Sequence, residues 1–275
     1  MFVRAITTTQ NVKLNGSVLV DGYDSLIGGY NASTNRYATG AIATRGSVDV
    51  QNANVYGNVT SGPGGTINVL NGAIGDVAWN ASNTGAQPGW TNNNFNAAFP
   101  VNTPPSGGPF LSPVITSVGG SNIMYLATGT NQTTSLSLSQ AKDPMIVTGN
   151  ATLWVPGDVT LSGTGIIVIM PGASLKLYIG GVAKIAGGGV LNGTGLASQF
   201  SLIGLPGNTS ITYSGNYAFI GTINAPQADV EMNGTPELYG AVLAKSFYAV
   251  GVSAVHYDEA LATATGLVVT SWKEL

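Results

Sequence analysis

The stretch that decides the fold is ATLWVPGDVTLSGTGIIVIMPGASLKLYIGGVAKIA, residues 151–186. Its apolar segments recur about every seven to eight residues and are separated by Gly, Pro or Asp, which is typical of short strands divided by tight turns. The segment centres lie near Leu153, Leu161, Val168, Leu175 and Lys184. This spacing predicts an all-β protein built from many short strands.

The side chains of this stretch alternate between apolar and polar. Leu175, Leu177 and Ile179 lie on one side of a predicted strand, whereas Lys176 and Tyr178 lie on the other. We therefore expect one side of the strand to face a core and the other to face water.

Two architectures place short strands at this spacing: a sandwich or barrel of hairpins, and a parallel β-helix. Asn-Gly pairs that could form hairpin turns occur, for example at 71–72 and 192–193. The connectors vary, however, and small residues recur at quasi-regular intervals, as the corners of a stacked coil require. We favour a parallel β-helix, a solenoid.

The same pattern extends over most of the chain, so we predict a single β-helix domain over residues 1–275. It is interrupted at 78–113 by a long Asn- and Pro-rich segment, which we interpret as a loop excursion with its aromatic residues packed against a sheet. Residues 258–275 are predicted to form a short capping helix near 258–263 and one more strand in GLVVTSWKEL.

The composition excludes several classes of function. Hydrophobic residues make up 44% of the chain and charged residues only 8%, with a net charge of −3, so a core can form but a basic surface for nucleic acid cannot. No run reaches the length of a membrane span, and without cysteine there are no disulfides or thiolate metal sites. The chain lacks a signal-peptide pattern at its start although its composition is that of an exported protein, so we expect an N-terminal part to have been removed or omitted.

His256, the only histidine, lies in VHYDEAL. In a β-strand, His256 and Asp258 would lie on the same side, about 6–7 Å apart. A metal site needs three or four ligands, and no second histidine is present to join them. We favour a structural role, in which His256 ends a strand while Asp258 and Glu259 open a helix at the positive end of its dipole.

Two other carboxylate pairs are candidates for glycosidase-like chemistry. Asp229 and Glu231 share a strand side, with Val230 and Met232 facing inward, but neighbouring segments supply only Glu237, so a solvated face is favoured. Asp21 and Asp24 are interpreted as turn formers. We therefore predict no enzyme, no catalytic residues, no metal site and no cofactor.

Aromatic and hydroxyl residues leave two binding functions open. Trp79 and Trp90 could stack on sugar rings, although packing under the 78–113 loop is the alternative. Threonine-rich segments could order water, as in ice-binding β-helices, but the threonines do not recur at matched positions.

Segments in serial order carry a family resemblance. They include VLVDGYDSLIGGY (18–30), MIVTGNATLWVPGDVTLSG (145–163), YGAVLAKSF (239–247), HYDEAL (256–261) and VTSWKEL (269–275). In this order the chain resembles the uncharacterised β-helical domain at the C-terminal end of PilX-like, pilus-assembly-associated bacterial surface proteins. The resemblance implies an exported bacterial protein at the cell surface, with no catalytic residues to carry over.

The leading hypothesis is therefore an extracellular structural or adhesive protein, pilus-associated or itself a filament component. A solenoid with an uncapped end can pair that edge with the next molecule, so head-to-tail self-association is expected, with pilus components or surface glycans as further partners. A carbohydrate-binding or polysaccharide-active β-helix is the first alternative, and an ice-binding protein is the second.

Overall fold

The computed structural model describes residues 2–251 and 253–263. It confirms the predicted fold class, because nearly all regular structure consists of short parallel strands stacked into β-helices. The chain forms two compact units, which we call the terminal unit (1–100 and 229–275) and the central unit (101–228). The strand predicted in GLVVTSWKEL lies outside the described residues.

The N-terminal part of the terminal unit contains strands that are mostly three to five residues long and one short helix. They are β1 (Ile6–Thr8), β2 (Val12–Asn15), β3 (Leu19–Tyr23), β4 (Ile42–Thr44), β5 (Val48–Gln51), β6 (Asn54–Tyr56), β7 (Val59–Thr60), β8 (Ile67–Val69), β9 (Ala73–Gly75), α1 (Val77–Asn80), β10 (Gly85–Ala86) and β11 (Thr91–Asn92).

The central unit continues with β12 (Val114–Val118), β13 (Ser121–Leu126), β14 (Gly129–Gln132), β15 (Leu136–Leu138), β16 (Met145–Val147), β17 (Asn150–Val155), β18 (Val159–Leu161), β19 (Ile166–Ile169), β20 (Ser174–Ile179), β21 (Ala183–Ile185), β22 (Gly189–Asn192), a 3-10 helix (Ala197–Gln199), β23 (Phe200–Gly204) and β24 (Ser210–Tyr213). The chain then passes through β25 (Phe219–Asn233) into the terminal unit, which ends with β26 (Glu237–Val250), β27 (Ala254–Asp258) and a 3-10 helix (Glu259–Ala262).

Three parallel sheets enclose the core of the terminal unit. Sheet A contains 242–244 of β26, then β1, β4, β7 and β11. Sheet B contains 247–250 of β26, then β2, β5 and β8. Sheet C contains 237–240 of β26, then β27, β3, β6, β9 and β10.

The order of coils in the terminal unit departs from the order of the sequence, where a coil is one circuit of three strands. The C-terminal coil of β26 and β27 pairs directly with the N-terminal coil of β1, β2 and β3. Residues more than two hundred positions apart therefore become neighbours, as in the pairing of Val255 with Val20.

The central unit also has three sheets. Sheet D contains β14, β17, β20, β23 and 222–224 of β25. Sheet E contains β15, β18, β21 and β24, and sheet F contains β12, β13, β16, β19 and β22. All of these pairings are parallel except that β12 and β13 form an antiparallel hairpin.

The quoted stretch supplies five successive strands of the central unit, β17 to β21, which form one complete coil and most of the next. Leu153 pairs with Leu177, and Leu177 with Leu202, so one coil takes 24 or 25 residues. A coil of this length with three strands has one strand about every eight residues, in agreement with the spacing of seven to eight residues predicted from the sequence. All three leucines are fully buried, whereas Lys176 is exposed, which confirms the predicted inward and outward sides.

The segment 78–113, predicted as a loop excursion, contains α1 residues, β10 and β11 and otherwise lacks regular structure. In the terminal unit its Phe95 is buried and packs with Phe99 against Ala43 of sheet A. In the central unit its Phe110 packs edge-on against Trp154 of sheet D, with ring centroids 5.3 Å apart. The segment therefore covers parts of both sheets with its aromatic side chains.

Candidate functional site

Sheet C carries a row of polar and aromatic side chains on its outer surface. The register places Tyr239 beside His256, and His256 beside Asp21. The neighbouring residues Val255 and Val20 face the core and are fully buried, so alternation directs His256 and Asp21 away from it.

His256 and Asp21 form a buried pair. The Nδ1 atom of His256 lies 2.5 Å from Oδ1 of Asp21, and the two side chains are 1% and 0% exposed. The Tyr30 hydroxyl donates to Oδ2 of Asp21 at 2.7 Å. The imidazole lies between two rings, with centroid distances of 3.9 Å to Tyr30 and 4.7 Å to Tyr239.

The loop between β3 and β4, residues 24–41, covers this pair. Tyr30 and Arg36 both belong to it, and the Arg36 guanidinium lies 4.6 Å above the ring of Tyr56. A Cβ on Gly40 would approach the backbone of Asp21 to 2.5 Å, so only glycine allows the returning loop to pass this close. The loop is therefore fitted to the surface of sheet C.

Burial keeps the tyrosines of this cluster protonated. It raises the pKa of Tyr30 well above its ordinary value, and the hydrogen bond and charge of Asp21 raise it further. Burial likewise raises the pKa of Tyr239, with Glu237 as the next cause. Both phenols therefore remain hydrogen-bond donors over the physiological pH range.

The imidazole of His256 is enclosed by its neighbours. His256 is almost completely buried, and its Nε2 atom has no hydrogen-bond partner within the described chain. A general base must reach the proton that it abstracts, and this imidazole is enclosed by two rings and a loop.

The prediction for Asp21 was wrong, and those for Asp24 and Asp258 are confirmed. Asp21 lies within β3 and accepts from Tyr30 instead of forming a turn, because the C-terminal coil brings His256 beside it. Asp24 does form a turn, accepting from the Leu26 N–H at 2.9 Å. Asp258 caps the C-terminal 3-10 helix by accepting from the Ala260 N–H.

Asp229 forms an exposed ion pair. Its carboxylate accepts from Lys245 Nζ at 2.9 Å and from the Ser246 hydroxyl at 2.6 Å. Partial burial would raise the pKa of Asp229, but these two hydrogen bonds outweigh it and lower the pKa. Val230 and Met232 are buried as predicted, so Asp229 lies on the outer side of the strand.

The described residues contain no group of three His, Asp or Glu side chains that could hold a metal ion. No helix within 2–251 and 253–263 has the length and apolar character that crossing a membrane requires.

The two candidate sugar-stacking residues both lie in the terminal unit and are partly buried. Trp79 belongs to α1, where its backbone N–H donates to the Asp76 carboxylate at 2.8 Å, and its ring lies against Gly75. Trp90 precedes β11, and its carbonyl accepts from the Val59 N–H at 3.0 Å. No contact described here joins the two rings.

Sheet F presents an apolar outer surface that sequence reasoning missed. Its outward row consists of Tyr125, Ile146, Val168 and Leu191, all partly exposed. The outward row of sheet E carries hydroxyl and lysine side chains, namely Ser137, Thr160, Lys184 and Thr212. Sheet D has two outward rows: one is polar, with Thr130, Thr152, Lys176 and Ser201, and the other is largely apolar, with Gln132, Trp154, Tyr178 and Ile203, and its Trp154 packs against Phe110. The run IIVIM at 166–170 was the available signal, because continuous apolar runs are typical of sheets covered on both sides.

The outer edge of sheet F is the strand β12. Val114, Ile115 and Val118 are 62%, 61% and 62% exposed, and the remaining two residues of the strand are exposed as well. Within the described chain β12 pairs only with β13. An exposed, uncharged apolar edge is a site where another strand can add.

Comparisons with known proteins identify a family and one structural relative. A family model described as a domain of unknown function, DUF7305, matches residues 124–264. No curated protein matches the chain. Among solved structures, an ice binding protein from an Antarctic Biological Consortium is similar over 93% of this chain and 87% of that chain, with 13% sequence identity and a TM-score of 0.38. These findings do not connect the chain with pili.

Proposed function

We propose that this chain, which belongs to the DUF7305 family of domains of unknown function, is a structural protein that self-associates at the bacterial cell surface. The observation that carries the proposal is the apolar outer surface of sheet F together with its open edge strand β12. Sheet E of the same unit carries a hydroxyl and lysine row, and the apolar row of sheet D is in contact with Phe110 of the 78–113 segment, so the apolar row of sheet F is not a general property of this surface.

The outer surface of sheet F is small, and its position beside an open edge is what favours a contact. Five strands spaced about 4.8 Å apart and about four residues long cover roughly 250 Å². This is close to the size of the largest apolar patch on a typical monomer, which is often functional. The low charge of the chain, 8% of residues, allows copies to approach without strong mutual repulsion.

We further propose that the protein is not an enzyme. The support is the position of its only histidine, which is buried beneath the 24–41 loop and hydrogen-bonded to Asp21. Among the other candidate carboxylates, Asp229 pairs with Lys245 and faces solvent, Glu237 accepts from the Tyr239 hydroxyl, and Glu231 is partly exposed.

Export and pilus association form the finer part of the proposal. They rest on the serial resemblance to PilX-like surface proteins. Protease treatment of intact cells of the source bacterium tests the location: surface exposure predicts loss of the protein without lysis, and full protection would contradict it.

Sedimentation velocity between about 5 and 500 µM tests self-association, with negative-stain electron microscopy of the most concentrated sample. We expect the weight-average sedimentation coefficient to rise with concentration. Val114→Lys, on the outer side of sheet F in its edge strand β12, should abolish the rise, whereas the matched variant Thr160→Lys on sheet E should not. A wild-type protein that remains monomeric throughout would refute the proposal.

No specific observation in the structure favours the two alternatives. Carbohydrate stacking needs exposed ring faces, and both Trp79 and Trp90 are partly buried. An ice-binding surface needs a regular array, and Lys176 and Lys184 interrupt the hydroxyl rows of sheets D and E.

A further inference from the structure

We propose that β12 is the contact through which two copies of the chain pair, edge to edge and antiparallel, with Thr116 of each copy at the two-fold axis. This inference rests on the self-association proposed above and assigns it to one strand. It follows from the openness of the edge, the direction of its backbone groups and the symmetry of its sequence.

The edge lacks the features that normally prevent pairing. Native edge strands are protected by charged side chains, internal proline, bulges or a covering segment. Residues 114–126, the whole hairpin of β12 and β13, contain no charged residue and no proline. The five residues of β12 are all exposed.

The turn of the hairpin determines which backbone groups are free. Gly119 and Gly120 form a two-residue turn with φ of 57° and 80°, flanked by the pair Val118 and Ser121. In such a hairpin the flanking pair exchanges both hydrogen bonds, and bonded pairs then alternate. The N–H and C=O groups of Ile115 and Ser117 therefore point away from β13.

The sequence of β12, Val-Ile-Thr-Ser-Val, is complementary to itself around Thr116. In an antiparallel pair centred there, Ile115 of one copy faces Ser117 of the other, so the free backbone groups meet and form four hydrogen bonds. Thr116 faces its own counterpart, and Val114 faces Val118. Valine and threonine pairs of this kind stabilise antiparallel sheets.

The pairing would join the apolar outer surfaces of the two sheets F into one. Five exposed residues bury on the order of 350 Å² per copy, well below the roughly 800 Å² per partner of a stable complex. We therefore expect a weak, concentration-dependent dimer. Residues 114–126 carry no charge. Two charged side chains bond the hairpin from outside it, Lys142 to the Gly120 carbonyl and Asp143 to the Asn122 N–H, and neither of these bonds involves a residue of β12.

Cysteine cross-linking tests the register, because the natural chain contains no cysteine. In a non-hydrogen-bonded antiparallel pair the Cα atoms lie about 4.5 Å apart, within the range of a disulfide. Thr116→Cys should therefore form a covalent dimer under mild oxidation. Ser137→Cys, exposed on sheet E, is the matched control and should remain largely monomeric.

The pairing of Val114 with Val118 gives a second, independent readout. Val114→Cys and Val118→Cys should each cross-link poorly alone and should form a mixed dimer when combined. Equal cross-linking of every cysteine variant, Ser137→Cys included, would overturn the proposed contact.

Charge exchange tests the same axis without covalent capture. Thr116→Lys and Thr116→Glu should each lose self-association, since like charges meet at the axis, and an equimolar mixture should regain it. Circular dichroism of each variant confirms that the fold is retained. If the wild type associates but Thr116→Cys does not cross-link above the control, the β12 contact is wrong and the proposed function stands. If the wild type never associates, both proposals fail.

Discussion

Replacing Asp21 with Ala tests whether the buried pair holds the 24–41 loop on sheet C. The carboxylate accepts from the Tyr30 hydroxyl through Oδ2 and contacts His256 Nδ1 through Oδ1. Alanine removes both interactions and leaves two buried polar groups without a partner. The loop and the strand β27 therefore lose their common anchor.

The expected magnitude follows from these two contacts. Hydrogen bonds to a carboxylate contribute about 1.5–3 kcal/mol each, so the two contacts together contribute about 3–6 kcal/mol. We expect Asp21→Ala to lower the free energy of unfolding by about 3 kcal/mol, the lower end of that range, because an opened loop lets water reach His256.

Urea unfolding and limited trypsin digestion measure the two consequences. The unfolding midpoint should fall by about 1 M for a slope near 3 kcal/mol per M. Trypsin should cut after Arg36 much faster than in the wild type, since Arg36 lies in the loop over Tyr56. Asp24→Ala is the matched control, because the Asp24 side chain accepts from the Leu26 N–H within an exposed turn, while its bonds to Asn35 are made by the backbone and are retained. If both variants shift the midpoint equally, the reasoning about the buried pair is wrong.

Three further perturbations test the core, a buried tyrosine and an exposed ion pair. Leu177→Ala, in a fully buried leucine ladder, should destabilise the protein by about 2–5 kcal/mol in urea unfolding, whereas the outward neighbour Lys176→Ala should change it by less than about 0.5 kcal/mol. Burial raises the pKa of Tyr213 to about 12 from an ordinary value of 10.0. The stability that the protonated phenol contributes is therefore complete below pH 10 and is lost as the pH rises through 12. Tyr213→Phe should reduce this alkaline loss of stability, which a pH series of melting temperatures measures. Because the pKa of Asp229 is lowered in the folded protein, its carboxylate contributes stability above its unfolded pKa, and this stability is lost as the pH falls. Asp229→Asn should nevertheless lower the free energy of unfolding by less than about 1 kcal/mol at neutral pH, because the pair with Lys245 is exposed and screened by salt.

The sequence was sufficient for the coil architecture because that architecture is encoded locally. All five predicted segment centres, from Leu153 to Lys184, lie within strands. Alternation along a strand decides which side faces the core, and spacing decides how many strands make a coil. Neither property depends on distant parts of the chain.

The buried pair could not be predicted in this way. Asp21 and His256 are separated by 235 positions, and they meet only because the C-terminal coil lies beside the N-terminal coil. An Asp followed by Gly in VDGYD is a reasonable turn signal on local grounds. Strand pairing between the termini overrode that preference.

The surface of sheet F was missed for a different reason. The run IIVIM was treated as one more strand, although Ile167 and Ile169 face the core while Val168 faces outward. The hairpin of β12 and β13 also carries a visible signal, Gly119-Gly120 between two apolar segments. To predict either feature from the sequence, the apolar residues on the outward side of each strand have to be considered separately from those on the inward side.

The pair of Asp21 and His256 also explains how two distant coils find the correct register. Parallel strands with aliphatic inner rows could slide past one another by two residues and still bury valine against valine. A slide of two residues would separate His256 from Asp21, and a slide of one would turn the imidazole into the core. Buried polar groups can specify one pairing among several apolar alternatives. The loop over them adds Tyr30, which bonds Asp21 only when β27 and β3 are aligned as observed, so we attribute to this cluster the alignment of the two ends of the chain.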